Sequence, residues 1–289
     1  MNFNNPFNET SSFEREKNYV HPAVKNAHRT AEKMIKEDAI DPHDFIALYG
    51  EENVARDLAY AEKREKGFTR DANKVYAEVL EAVLYDQIEL SDWFGPKART
   101  TKTSFYDDIV NGSDLILELE ELNQTLSHLS LSVDVTFGTT TEEKKFAAIK
   151  EKIDAGTLGG IKYFHSEKGG FRGELSKVPQ VVIGVEKDIV IQLAGLWMGE
   201  HGRNKEGNAK LATHPIQRII LTEILLQLIT FKNYAEETGK KSLVPIYQKN
   251  ITVLEDILKE KPPIDIGELK NDKVFTAIKS SLSLFKITK

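Results

Sequence analysis

Asp114 and Asp134 are the residues whose type and spacing could do chemistry. From position 114, Leu115, Leu117 and Leu119 alternate with Asp114, Ile116, Glu118 and Glu120. From position 129, Leu129, Leu131, Val133, Val135 and Phe137 alternate with Ser130, Ser132, Asp134 and Thr136. An apolar residue at every second position marks a strand with one buried face. Polar residues over 122–127, including Asn123, Gln124 and Thr125, join the two strands as an antiparallel hairpin. A turn centred on Gln124 and Thr125 sets position 114 opposite 134 or 135, where facing Cβ atoms lie about 4.5–5.5 Å apart. Asp114 and Asp134 are then neighbours, with Thr136 one step along the same face. Two carboxylates that close repel unless one is protonated or a cation lies between them. Hard divalent cations take ligands from such oxygens. Solvated acids on the outer face of a plain hairpin give the same alternation, so the pattern leaves both readings open.

The helix ahead of the hairpin carries further acids. Thr69, Asp71 and Asn73 are candidate caps for it. Val75, Tyr76, Val79, Leu80, Val83, Leu84 and Ile88 form its apolar stripe, and Glu78 and Glu81 fall off that stripe, as solvated helix-face acids do. Gly95-Pro96 ends the helix, and the Thr-rich segment 98–105 is a candidate strand. Asn111-Gly112 signals a tight turn just before Asp114, and Asp107-Asp108 suit a turn or cap better than a ligand role. After the hairpin, threonines at 139–141 cap a helix with Phe146, Ile149 and Ile153 on its apolar side. Segment 159–166 reads as a strand, 167–177 as a polar, Gly-rich loop, and 179–185 as a continuous apolar strand covered on both faces. A helix over 187–199, a loop over 199–210 and a long apolar helix opened by His214-Pro215 follow. Upstream, residues 1–20 are a polar lead-in, a helix begins at Pro22, and 51–66 is a charged helix with a thin stripe of Val54, Leu58 and Ala61. Helices split by Pro262-Pro263 complete the chain. The order implies an α/β (α+β) fold, a sheet with helices on its faces.

Composition narrows the chemistry. The chain has 289 residues, 40% hydrophobic and 29% charged, with no cysteine. Thiolate metal sites, disulfides and cysteine nucleophiles are thereby excluded. The seven histidines are scattered without zincin spacing, and neither a P-loop, a Rossmann fingerprint nor a serine-hydrolase elbow is present. A net charge of −6 removes bulk attraction to polyanions, so any nucleic-acid binding needs a local basic patch. No apolar run reaches the roughly 18 residues of a spanning helix, and the first residues lack a signal-peptide layout. A cytoplasmic protein with no membrane role is the expectation.

The layout of helix, three strands, helix and fourth strand resembles the core of the PD-(D/E)XK nuclease superfamily, the restriction-endonuclease-like fold. Gly112-Ser113-Asp114 resembles its first motif element, and Asp134-Val135-Thr136 the second, with Thr136 where the family has lysine. The matched region is about 71–165, and the following strand extends it. The resemblance implies a nuclease-like core over 71–239, an N-terminal helical extension over 1–70 and a C-terminal helical segment over 240–289. It implies metal-dependent hydrolysis of nucleic acid, DNA before RNA, with Mg²⁺ or Mn²⁺ held by Asp114, Asp134 and an acid of the first helix, Glu78 or Glu81. Glu118 competes for that third place. A threonine hydroxyl replaces neither a cation nor a base. The missing lysine is therefore sought at Lys144 or Lys145 on the next helix or at Lys162 on the neighbouring strand, unless metal-activated water suffices without it. Arg172 and Lys145 are candidates to bind the phosphate. A homodimer is a compatible assembly. The competing expectations are a catalytically silent relative that binds nucleic acid or a protein, and an interaction protein whose hairpin acids are merely solvated.

Overall fold

A computed structural model describes residues 19–67, 71–120, 126–134, 140–166, 170–199, 202–261 and 273–287. Helix α1 spans Pro22–Asp38; a 3-10 turn at Pro42–Phe45 leads into the single-turn α2, Ile46–Tyr49, and then α3, Glu51–Glu65. Helix α4 spans Ala72–Leu90, and the carboxylate of Asp71 caps it by accepting from the Lys74 N–H. Strand β1, Ala98–Lys102, is followed by a π-helical turn, Asp107–Asn111, and then by β2, Leu115–Glu120, and β3, Leu126–Asp134. Helix α5 is Thr140–Asp154, β4 is Gly159–His165, β5 is Arg172–Val178 and β6 is Gln180–Gly184. Helices α6 (Lys187–Met198), α7 (Lys205–Ala212), α8 (Ile216–Glu237), α9 (Val244–Glu260) and α10 (Lys273–Ser281) follow, with a last 3-10 turn at Leu282–Phe285.

Four strands form one mixed sheet in the order β1-β2-β3-β6. The first three are antiparallel, and β6 runs parallel to β3 after the crossover that contains α5. The second sheet is the antiparallel pair β4-β5. The chain is therefore a mixed α/β fold with helices flanking both sheets.

Alternation decides which face each strand buries. Leu115, Leu117, Leu119, Leu129 and Leu131 point to the main core, beneath α4. Ile116, on the opposite face, joins a smaller cluster with Phe45, Val54, Ile161, Tyr163 and Phe164. Each fully buried side chain of this size contributes roughly 1.5–3 kcal/mol. The main core also takes Val24, Ala27 and Ala31 from α1, and Tyr247, Ile278 and Phe285 from the C-terminal end. Helices on both sides of the central region thus share one interior with it.

Several expectations need correction. Glu120 pairs with Leu126 and Leu115 with Leu131, which brings Asp114 level with Ser132 rather than with residue 134 or 135. Leu126 and Ser127 read as turn residues, yet both belong to β3, with Ser127 buried and the neighbouring His128 edge-on to the Phe164 ring. Relative to residue 134 the shift is two places, and an even shift preserves which side chains share a face. The segment read as a loop over 167–177 contains β5, whose pairing rests on main-chain bonds across two irregularities rather than on alternation. The loop read over 199–210 runs into α7, which begins at Lys205 and is capped by Asn204 accepting from the Gly207 N–H at 2.8 Å.

Candidate active site

The first candidate side chain, Asp114, is set by a turn. Gly112 adopts φ 66°, a left-handed conformation that glycine reaches without cost, and it ends the π-helical turn one residue before Ser113 and Asp114. The register is pinned beside it. The Asp114 N–H donates to the Leu131 carbonyl at 3.0 Å, and the Ser130 hydroxyl donates to the Ser113 hydroxyl oxygen at 2.7 Å. The Asp114 carboxylate then accepts from the Val133 N–H at 2.6 Å, which fixes it against the end of β3. Asp134 is the next residue and the last of β3, paired in register with Gly184 of β6. Its side chain and the whole of Thr136 lie outside the described residues.

Lys102 is the residue that sequence reasoning missed. It ends β1 on the inward side, 3% exposed. Its ammonium lies 2.8 Å from Glu81 Oε1 on α4 and 3.8 Å from Asp108 Oδ2 on the π-helical turn. It also donates to the Asp114 carbonyl at 3.0 Å. In the structure Ala98, Thr100 and Lys102 alternate inward, but the sequence of β1 carries no apolar alternation that would have shown it. A lysine on the inward face of a strand requires acids around it, because an unpaired buried charge is prohibitively costly.

Three acids surround one lysine, and the pKa of Glu81, of Asp108 and of the lysine all shift upward. Burial first, then the charges of Asp114 and Asp108, outweigh the pull of Lys102 and bring Glu81 up to about 8. Asp108 rises to about 7 through desolvation, with the charge and hydrogen bond of Asp114 adding to it. About 35% of its side chain remains exposed, so water screens part of that rise. Burial alone would lower Lys102, but Glu81, Asp108 and Asp114 together outweigh it and raise its pKa above the ordinary lysine value. Lys102 is therefore a permanent cation, whereas Glu81 holds its proton into the neutral range.

The remaining sequence candidates are placed as follows. Glu78 is 2.6 Å from His28 and 3.8 Å from Lys74, so the α4 acid at the lysine is Glu81. Glu118 faces His128 across the hairpin at 3.4 Å, away from Lys102. Lys145, on α5, donates to the Val133 carbonyl at 3.3 Å, which brings it to the same backbone segment that holds Asp114. The ammonium of Lys162 is engaged by Asp57 of α3 instead. Arg172 lies 4.7 Å from the centre of the Phe45 ring and 3.7 Å from Asp44, on the second sheet. His214 caps α8 by accepting from the Ile216 N–H at 3.2 Å.

Lys102, Thr103 and Asp108 open onto a cleft of about 680 Å³ walled by α1, α3 and α4. Its lining includes Glu32, Glu37, Asp41, Glu65, Asp71 and Glu78, against Lys36 and Lys74. Among the described residues, no three side chains of metal-ligating type are grouped closely enough to hold an ion. Likewise, among the described residues no helix is long and apolar enough to cross a membrane. The chain matches no protein-family model, no curated protein and no solved structure.

Proposed function

We propose that this chain hydrolyses phosphodiester bonds of nucleic acid, DNA before RNA, through a metal-dependent site of the PD-(D/E)XK kind on a restriction-endonuclease-like core. One observation carries the reading: α4, β1, β2, β3 and α5 follow in the family's order, with Asp114 at the head of β2 and bonded to the residue before Asp134; the segment 159–166 expected as the fourth strand instead pairs with β5 in the second sheet, and β6 takes the place beside β3. The charge balance of the site favours a cation, and Asp134 would have to complete the ligand set, since Glu81, Asp108 and Asp114 alone are not grouped closely enough to hold one. Glu81, Asp108 and Asp114 exceed Lys102 by two negative charges when all are ionised, and all are oxygen donors.

Asp114, Asp134 and Glu81 would hold Mg²⁺ or Mn²⁺. When bound, the ion supplies an activated water and neutralises charge developing on the phosphate. The bond from Val133 fixes the direction in which Asp114 presents its oxygens. Lys102, kept protonated by its acids, serves as a fixed positive charge for a phosphoryl oxygen and not as a base. It thereby takes the place left by Thr136. Lys145 gives a second cation at the end of β3.

The test is cleavage of supercoiled plasmid and of single-stranded oligonucleotides with Mg²⁺ or Mn²⁺. Asp114→Asn and Lys102→Met should each lower the rate at least a hundredfold, and Thr136→Ala should leave it within a fewfold. Nucleic-acid binding without cleavage in the unaltered chain would identify the silent relative. Neither binding nor cleavage would remove the proposal altogether.

A further inference from the structure

Lys162 is a partly buried lysine whose ammonium is held by groups of its own chain. Its ammonium sits 5.5, 5.6 and 5.7 Å from the ring centres of Tyr49, Tyr106 and Tyr163, and it pairs with Asp57 of α3. The Tyr163 hydroxyl donates to the same Asp57 carboxylate at 2.6 Å, and the Tyr49 hydroxyl donates to the Lys162 carbonyl at 2.9 Å. An ammonium among three aromatic faces and one carboxylate is attracted by all four.

The backbone at the same place does something else. Ile161 pairs with Leu175 and Phe164 with Gly173, so β4 has one more residue than β5 across this interval. Such a bulge withdraws N–H groups from the ladder and re-aims them. The Lys162 and Tyr163 N–H groups both turn to the Asp107 carboxylate, at 2.7 and 3.0 Å. Asp107 also accepts from the Ser104 hydroxyl at 2.7 Å and from the Asn111 amide at 2.6 Å. Both of its oxygens are thus committed within the structure, and it is fully buried. Asp107 is the first residue of the π-helical turn that aims Asp108 at Lys102 and delivers the chain to Asp114.

We propose that Lys162 is a positioning residue: its caged ammonium holds the β4 bulge in the shape that anchors the π-helical turn, and so ties helix α3 to the acids at Lys102. The proposal rests on the nuclease reading for its catalytic consequence, but the coupling itself does not require cleavage. Lys162 does not contact the reacting phosphate; it acts through Asp107.

The experiment compares Lys162→Met and Lys162→Arg in the full chain. Amide hydrogen exchange of a peptide over 104–114 should speed up at least tenfold in Lys162→Met, with a peptide from α8 unchanged, and Lys162→Arg should restore most of the protection. In cleavage assays the Mg²⁺ concentration for half-maximal rate should rise at least fivefold in Lys162→Met. The rate at saturating Mg²⁺ should stay within twofold. If Lys162→Met does not fold, Asp57→Asn removes the other half of the pair and should give the same pattern. Unaltered exchange over 104–114 would overturn the proposal. So would a rate loss at saturating Mg²⁺ with an unshifted half-point, which would mean that Lys162 meets the phosphate directly. If the unaltered chain cleaves nothing, the nuclease reading fails, and the exchange measurement still decides whether Lys162 anchors the turn.

Discussion

At Lys102, one buried cation faces more acid than it can neutralise. Replacing it with methionine leaves Glu81 without its ammonium, and breaking a buried pair from one side costs about 3–5 kcal/mol. Urea denaturation should show that loss, and it should be larger at pH 8.5 than at pH 5.5, because Glu81 sheds its unpaired charge by protonation at the lower pH. The pH dependence of the unaltered, metal-free chain has a definite sign. Glu81 binds its proton more tightly when folded, with a pKa raised from 4.5 to about 8. Its contribution is complete below about pH 4.5 and is lost as pH rises towards 8. Stability in EDTA should therefore fall across that window, and Glu81→Gln should flatten the fall. Equal slopes in the two proteins would show that Glu81 titrates normally. Saturating Mg²⁺ should reverse the trend in the unaltered chain, since the cation replaces the proton as the group's partner.

At the scale of elements, the sheet was legible where side chains alternate and hidden where backbone or single side chains do the work. The hairpin acids, α4 and the apolar strand β6 follow from period and from capping residues such as Asp71. Strand β5 does not, because Gly173 and Lys177 both take positive φ and its burial pattern is broken. Helix α7 was obscured by Gly207 and its polar residues. Gly207 is there because any Cβ would lie 2.0 Å from the Leu196 carbonyl oxygen, so α7 docks against α6 only without a side chain at that point. Strand β6 ends the sheet, and an open edge is a liability. Gln227 of α8 closes it: its amide oxygen accepts from the Val182 N–H at 2.9 Å, and its NH₂ donates to the Val182 carbonyl at 2.6 Å. Gln227→Leu should strip both bonds from buried backbone. At about 1–3 kcal/mol for each unsatisfied group, the loss in a denaturation experiment should be about 2–6 kcal/mol, without change in metal-dependent stabilisation.

Across the whole molecule, the division suggested by motif position does not describe how apolar surface is buried. Val24, Ala27 and Ala31 of α1 are wholly inaccessible, and the His21 N–H donates to the Tyr76 hydroxyl of α4 at 3.1 Å. At the other end, Phe285 packs against Phe231 of α8 with ring centres 4.7 Å apart. Periodicity shows that each of these helices has an apolar face, but not which other face it meets. The described helices within 1–70 and 240–289 bury side chains in the same core as the central region. The consequence is testable by truncation. A chain begun at Asp71 would expose the α4 face now covered by α1, together with the small cluster around Phe45 and Val54. It should not show a cooperative thermal transition, and it should bind a hydrophobic dye at temperatures where the full chain does not. The full chain should unfold in one calorimetric transition, since no boundary in the main core separates its ends from its middle. Two resolved transitions, or a cooperative transition in the truncated chain, would show that the central region stands alone and that the flanking helices serve some purpose other than burying it.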